Sequence, residues 1–128
     1  MNPDTKFLVV DDFLSMRRMV KSVINDLGYK NVVEADDGNT ALPLLRDGEF
    51  DFLITDWNMP GMPGLDLLKA VRANDRLARL PVLMLTAEAK REQIMVALKA
   101  GVSGYIIKPF TAEVLKEKLT RLLDEAAK

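Results

Sequence analysis

The sequence predicts an α/β fold in which five parallel strands alternate with five helices that cover both faces of the sheet. Short apolar runs rich in strand-forming residues alternate along the chain with longer segments whose apolar side chains follow helical spacing. Acidic, threonine or lysine side chains stand at the ends of four of the apolar runs. The alternation predicts the architecture, and the polar strand ends predict where a site lies.

The strands are identified by compact apolar runs with β-branched residues. The predicted strands span residues 7–10, 31–35, 50–55, 81–86 and 104–108. The apolar run of the first strand stops at two adjacent aspartates, Asp11 and Asp12, with no turn residue between.

The helices are identified by apolar residues three and four positions apart. The first helix runs from Met16 to Leu27 and is closed by Gly28, the second spans residues 39–48, and the last spans roughly 112–125 with Thr111 as its cap. The apolar positions of the third and fourth helices are Leu65, Leu68 and Val71, and Ile94, Ala97 and Leu98.

Two prolines depart from the pattern. Pro43 lies inside the second helix, where a proline costs about 3 kcal/mol, so this helix either starts later, near Asn39 or Thr40, or bends. Pro63 precedes Gly64 in a turn and cannot cap the third helix with a carboxylate.

Met16 and Met19 lie on the apolar face of the first helix and are interpreted as core residues.

Length and composition exclude several classes of function. The 128 residues predict a single domain spanning 1–128 with no room for an output domain. The absence of cysteine and histidine excludes thiolate chemistry and removes the commonest metal ligand and general base. A net charge of −1 argues against nucleic-acid binding. No signal pattern or apolar run of roughly 20 residues is present, so we expect a soluble cytoplasmic protein, with a monomer as the default.

The polar strand ends predict a metal site. If the first and third strands are neighbours, Asp11, Asp12 and Asp56 converge at the carboxyl edge of the sheet, with Thr86 and Lys108 on the other side. Converging carboxylates repel, and Lys108 together with a Mg²⁺ ion could offset their charge and leave room for a phosphoryl group. Asp56 stands alone on its strand and is the better candidate for a nucleophile that forms an aspartyl phosphate.

Each of these features alone has a simpler interpretation. The aspartate pair by itself more often caps the following helix than binds a metal. The joint occurrence of all four strand ends on alternating strand–helix units favours the metal site.

The chain resembles the receiver domain of two-component response regulators over essentially its whole length. The segments that carry the resemblance are FLVVDDF, FLITDWNMPGMPG, VLMLTAEAK and GYIIKPF. The single-domain chemotaxis members of that family are the most similar. The resemblance implies the flavodoxin-like strand order 2-1-3-4-5, which makes the first and third strands neighbours. It also implies that the Lys108–Pro109 peptide bond is cis.

The resemblance implies that Asp56 accepts a phosphoryl group from a phosphohistidine on a chemotaxis histidine kinase. Mg²⁺ is then the expected cofactor, held by Asp11, Asp12, Asp56 and the backbone carbonyl of Asn58. Lys108 pairs with Asp56 and later with the phosphoryl oxygens.

By the same resemblance, the Thr86 hydroxyl and the Ala87 backbone N–H receive another phosphoryl oxygen. Asn58 and Glu88 match positions that influence how fast the acyl phosphate hydrolyses. The protein is therefore expected to assist its own phosphorylation and dephosphorylation without turning over an independent substrate.

The output implied by the resemblance is a small conformational switch. The Thr86 hydroxyl moves toward phosphorylated Asp56, and Tyr105 enters the space that it leaves. The altered face is expected to bind the flagellar motor switch protein and to include Ala89, Arg91, Ile94, Tyr105 and Lys118. A half-buried strand aromatic with its hydroxyl in water explains Tyr105 equally well. A dedicated phosphatase is a further candidate partner.

Several alternatives remain open. Within the receiver family, the protein could instead relay phosphate or act on a non-flagellar target. A metal-dependent phosphatase usually has D-x-D after the first strand and a cap segment, which Asp11–Asp12 and the short chain do not match. A flavodoxin-type electron carrier needs hydroxyl and backbone donors where DDFLSM presents carboxylates. A receiver that is never phosphorylated does not explain the complete set of acids, threonine and lysine.

Overall fold

The computed structural model describes residues 2–87 and 90–127, which form five strands and five helices in strict alternation. The strands are β1 (Lys6–Val10), β2 (Asn31–Ala35), β3 (Phe52–Asp56), β4 (Val82–Thr86) and β5 (Gly104–Ile107). The helices are α1 (Leu14–Asp26), α2 (Gly38–Asp47), α3 (Gly64–Ala73), α4 (Arg91–Lys99) and α5 (Ala112–Ala126). Across these described ranges, no helix combines the length and the hydrophobicity that a membrane crossing requires.

The strands form one parallel sheet in the order β2-β1-β3-β4-β5, so the predicted flavodoxin-like fold is confirmed. Val10 is aligned with Thr55, and Asp56 with Leu85. Thr86 is aligned with Ile107. The residues that end or follow these strands therefore emerge together at the carboxyl edge of the sheet.

The interior strands separate two hydrophobic clusters because their side chains alternate between the two faces of the sheet. Leu8, Leu53 and Met84 face the cluster that includes residues of α2 and α3. Phe7 and Ile54 face the opposite cluster, which includes residues of α1 and α5. Every residue of β3 and β4 is buried, so the carboxyl ends of these strands are rigidly placed.

The helix ends largely follow the predicted signals. Gly28 has a φ of 101° just beyond α1, and the Thr111 side chain accepts a hydrogen bond from the Val114 N–H at the start of α5. Met16 and Met19 are partly buried against the core, as predicted.

Helix α2 corrects one expectation. It begins at Gly38, before the predicted start near Asn39 or Thr40, and it contains Pro43. The start is fixed by Asp37, whose side chain accepts a hydrogen bond from the Thr40 N–H. An aspartate cap therefore outweighs the proline signal in setting where this helix begins.

Helix α4 differs from the expected amphipathic helix. Of its nine residues only Ala97 is buried, and Leu98, expected to face the core, is 53% exposed. Helical spacing alone therefore overestimated the buried face of this helix.

Arg72, near the end of α3, forms hydrogen bonds with two other segments at the amino edge of the sheet. Its Nε donates to the Gly101 carbonyl at 2.9 Å, and its Nη1 donates to the Leu80 carbonyl at 2.7 Å and to the Ala78 carbonyl at 3.3 Å. Burial lowers the pKa of the Arg72 guanidinium from its ordinary value. One side chain thus joins α3, the segment leading into β4, and the segment that follows α4.

We expect Arg72→Met to lower the free energy of unfolding by about 2 kcal/mol, because three backbone carbonyls, two of them in partly buried hydrogen bonds, lose a charged donor. Urea denaturation measures this difference. Arg79→Met is the matched control, since Arg79 is exposed in the same segment. Equal stability of the two variants would contradict the anchoring role of Arg72.

Candidate functional site

Three carboxylates meet at the carboxyl edge of the sheet. Asp11 follows β1 and Asp56 ends β3, and these residues are 2% and 4% exposed, respectively. Asp12 is exposed beside them. Each aspartate offers a carboxylate oxygen, and these oxygens all lie within 4.8 Å of one another. The structure therefore brings together the three acids that the sequence singled out.

Lys108 is shared between the two buried acids. Its Nζ lies 3.2 Å from Asp11 Oδ2 and 3.4 Å from Asp56 Oδ1. The Lys108 backbone N–H donates to the Thr86 carbonyl at 2.7 Å, and the Lys108–Pro109 peptide bond is cis. The pairing of Lys108 with Asp56 that the resemblance implied is present, and Lys108 pairs with Asp11 as well. A single ammonium beside three carboxylates leaves an excess of negative charge.

Burial raises the pKa of the Asp56 carboxyl above its ordinary value of 3.8. The Lys108 ammonium opposes this rise in pKa, and the Asp11 carboxylate adds to it. A hydrogen bond from the Trp57 N–H, 2.9 Å from Asp56 Oδ1, stabilises the ionised form. Asp56 is therefore a carboxylate whose negative charge is incompletely compensated.

Asp11 lies in the turn that leads into α1. Asp11 Oδ1 accepts a hydrogen bond from the Phe13 N–H at 2.9 Å, and the Asp11 N–H donates to the Ala35 carbonyl at 3.1 Å. Phe13 is the N-cap residue of α1, and its own side chain makes no capping hydrogen bond. The Asp11 carboxylate therefore accepts from one N–H group at the start of α1 and also belongs to the acidic cluster, so the capping and metal-site interpretations do not exclude each other.

The backbone of Gly64 packs closely against the backbone of Asp56. The Gly64 N–H donates to the Trp57 carbonyl at 2.8 Å, and a Cβ at Gly64 would lie 2.1 Å from the Asp56 carbonyl oxygen. Only glycine fits this contact. Sequence reasoning treated Gly64 as a turn residue alone, because the backbone that approaches it cannot be read from local pattern.

The other predicted phosphoryl-binding positions lie around the same edge. Thr86 is fully buried at the end of β4, while Ala87 and Asn58 are exposed on the two loops that follow β4 and β3. Glu88, predicted to influence hydrolysis, lies outside the described residues.

The predicted partner surface divides into two parts. Tyr105 is half-buried on β5, and with Ile94 and Lys118 it lines a groove of about 580 Å³ between α4, β5 and α5. Arg91 lies instead on a cavity of about 380 Å³ elsewhere on α4, and Ala89 is outside the described residues. The Tyr105 and Trp57 rings meet edge to face, with centroids 6.4 Å apart.

The donor set fits a hard divalent cation. Carboxylate oxygens are the preferred ligands of Mg²⁺, whose octahedral shell places opposite oxygens about 4 Å apart. Three aspartate oxygens within 4.8 Å of one another are compatible with that shell after small side-chain adjustments. Exposed Asp12 and Asn58 leave the site open to solvent, so retained waters have access.

The model of the response regulator receiver domain matches residues 7–120. This chain belongs to that family. It is 64% identical over 119 residues to the chemotaxis protein CheY of Pseudomonas aeruginosa, covering 93% of this chain and 96% of the relative. It is 62% identical over 124 residues to the chemotaxis protein CheY-3 of Vibrio cholerae, covering 97% of this chain and 95% of the relative.

Solved structures agree with this membership. The chemotaxis response regulator CheY4 of Vibrio cholerae is 39% identical, has a TM-score of 0.86, and is matched over 93% of this chain and 98% of that protein. A CheY-like receiver domain from Methanospirillum hungatei is 27% identical with a TM-score of 0.88, and 97% of each chain is matched. The chain is thus a receiver domain of two-component signalling, a signalling switch and not a conventional enzyme.

The raised pKa of Asp56 predicts that its charge destabilises the metal-free fold. In Mg²⁺-free buffer at neutral pH, Asp56→Asn should raise the Tm, because the unfolded state ionises Asp56 more readily than the folded state does. The gain should vanish as the pH falls below 3.8, where both states hold the proton.

Thermal unfolding at several pH values measures this effect. Asp75→Asn, at an exposed aspartate, serves as the control. A Tm for Asp56→Asn that is unchanged or lowered at neutral pH would show that the Lys108 ion pair outweighs the burial of Asp56.

Proposed function

We propose that this receiver domain is a phosphoaspartate switch of bacterial chemotaxis. It takes a phosphoryl group from a histidine kinase in a Mg²⁺-dependent reaction and, once phosphorylated, binds the flagellar motor switch protein. The observation that carries the proposal is the convergence of three carboxylates within 4.8 Å of one another beside Lys108. The identity of 62–64% to CheY proteins supports the chemotaxis assignment and, with it, a cytoplasmic location.

Asp56 is the phosphoacceptor in this proposal. A carboxylate oxygen of Asp56 attacks the phosphorus of the donor phosphohistidine, and the P–N bond breaks as the O–P bond forms. The imidazole keeps the bonding electron pair and is protonated on departure. Burial at the end of β3 leaves the carboxylate poorly solvated and incompletely compensated, which favours its action as a nucleophile, and the additional negative charge of the phosphoryl group then needs compensation by neighbouring cations.

The surrounding residues supply positive charge and hydrogen-bond donors. The Lys108 ammonium lies within 3.4 Å of both buried acids. It could pair with the Asp56 carboxylate before the transfer and with the phosphoryl oxygens after it. Thr86 and the Ala87 N–H would bind a further phosphoryl oxygen. Mg²⁺, when bound by Asp11, Asp12, Asp56 and the Asn58 carbonyl, would neutralise charge on the phosphoryl group.

Asn58 and Glu88 complete the proposed set. Asn58 is exposed on the loop that follows Asp56, where its side chain could influence access of the hydrolytic water. Together these positions would set the lifetime of the phosphorylated state.

A direct contact supports transmission to the partner surface. The Trp57 N–H is bonded to Asp56, and the Trp57 ring meets Tyr105, which lines the α4–β5–α5 groove. In the proposed switch, Thr86 moves toward phosphorylated Asp56 and Tyr105 moves inward, which changes the shape of that groove. The apolar walls, with Lys118 at the rim, suit an amphipathic segment of the motor switch protein.

Intrinsic fluorescence of Trp57, the one tryptophan in the sequence, tests the acceptor function. Mg²⁺ should change the emission of the wild type, and acetyl phosphate should change it again. In Asp56→Asn the response to acetyl phosphate should be lost, because the nucleophile is gone. Intact-mass measurement should show one added phosphoryl group in the wild type alone.

Asp66→Asn is the matched control, since Asp66 is an exposed acid in the first turn of α3. It should respond like the wild type. A folded wild type that is indifferent to both Mg²⁺ and acetyl phosphate would reject the phosphoacceptor proposal.

Lys118→Glu tests the partner surface. We expect at least a tenfold weaker affinity of the phosphorylated protein for purified motor switch protein, because the groove loses a cation. The acetyl phosphate response should be retained, because Lys118 is not among the residues proposed to bind the phosphoryl group or Mg²⁺. Lys116→Glu, at an exposed position on the same helix, should bind normally. Absence of binding by the phosphorylated wild type would favour a relay role or a non-flagellar target.

A further inference from the structure

Arg17 of α1 lies beneath the turn that carries Asp11 and Asp12. Its Nη1 donates to the Asp11 carbonyl oxygen at 2.7 Å, and its Nε pairs with Glu34 Oε1 on edge strand β2 at 3.1 Å. The Arg17 side chain is 16% exposed. A guanidinium held at both contacts is fixed in position, unlike a flexible surface cation.

The position of this contact matters because the Asp11 carbonyl belongs to the peptide unit that joins Asp11 to Asp12. Fixing this unit restricts the direction in which the Asp12 side chain leaves the backbone. The preceding peptide unit is also held, since the Asp11 N–H donates to the Ala35 carbonyl at 3.1 Å. Both peptide units that flank Asp11 are therefore constrained by groups outside the turn.

We propose that Arg17 is a positioning residue that holds Asp11 and Asp12 in the orientation required for a divalent cation. This role rests on the metal-dependent function proposed above. Asp12 is exposed, so the packing around it cannot fix its direction, and the backbone must do so. A turn that is ordered before the cation arrives loses less conformational entropy on binding, which strengthens the affinity.

Positioning and simple electrostatics predict opposite effects of removing Arg17. A cation close to a metal site repels Mg²⁺, and its loss would also leave Glu34 unpaired, so electrostatics alone predicts tighter Mg²⁺ binding. Loss of a positioning contact predicts weaker binding. The sign of the change therefore identifies the role.

The experiment is a Mg²⁺ titration of Trp57 fluorescence in Arg17→Met and Arg18→Met. Arg18 is the exposed neighbour on α1, so both variants lose one positive charge from the same helix. We expect Arg17→Met to raise the dissociation constant for Mg²⁺ about tenfold and Arg18→Met to change it less than twofold. An unchanged or tighter affinity in Arg17→Met would overturn the proposal.

Two further measurements keep the test decisive. Arg17→Lys retains the charge but not the guanidinium fork, so it should bind Mg²⁺ several-fold more weakly, and wild-type affinity in this variant would also overturn the proposal. Amide resonances of Asp12 and Phe13 in the Mg²⁺-free protein report the turn directly. They should broaden or shift in Arg17→Met and not in Arg18→Met, whereas unchanged resonances would count against the role.

The proposed function can fail separately. A wild type without a saturable Mg²⁺ response would reject the metal-dependent function, and the amide resonances of the metal-free variants would still show whether Arg17 orders the turn.

Discussion

The site at the carboxyl edge of the sheet depends on two buried carboxylates that share one ammonium. Asp11 and Asp56 are placed at the ends of buried neighbouring strands, where water cannot fully solvate them, and Lys108 lies 3.2 Å from one and 3.4 Å from the other. Burying charge is costly unless hydrogen bonds and opposite charges compensate it. The remaining compensation comes from the backbone N–H groups of Phe13 and Trp57. The sheet can hold this arrangement because its interior strands are rigid, and the incomplete charge balance is what makes the edge suited to a cation and a phosphoryl group.

Much of the fold was predictable because its signals are local. A buried parallel strand is a short apolar run, and an amphipathic helix repeats its apolar residues along one face, so all ten elements were identified from the sequence. The site followed from the same pattern, since acids and a lysine directly after strands can only emerge at the carboxyl edge of a parallel sheet. The strand order was not local information. It came from the family resemblance, and without it the convergence of Asp11 with Asp56 was conditional.

The features that escaped prediction depend on contacts with backbone groups, which the spacing of side chains does not reveal. Gly64 is required because the Asp56 carbonyl approaches it, and Arg17 matters because its guanidinium donates to the Asp11 carbonyl. No pattern in the neighbouring sequence indicates either contact. Leu98 shows the same limit, since helical spacing indicates which residues share a face but not whether another element covers that face.

The small contact of α4 with the core has a consequence for how such a protein can diverge. Only Ala97 of this helix is buried, while Met95, Val96 and Leu98 are more than 40% exposed. Substitutions at exposed positions usually change stability by less than about 0.5 kcal/mol. The outer side of α4 can therefore accumulate mutations at little cost to folding, while Asp11 and Asp56 stay constrained by burial. New binding specificities could evolve on this helix without altering the chemistry at the sheet edge.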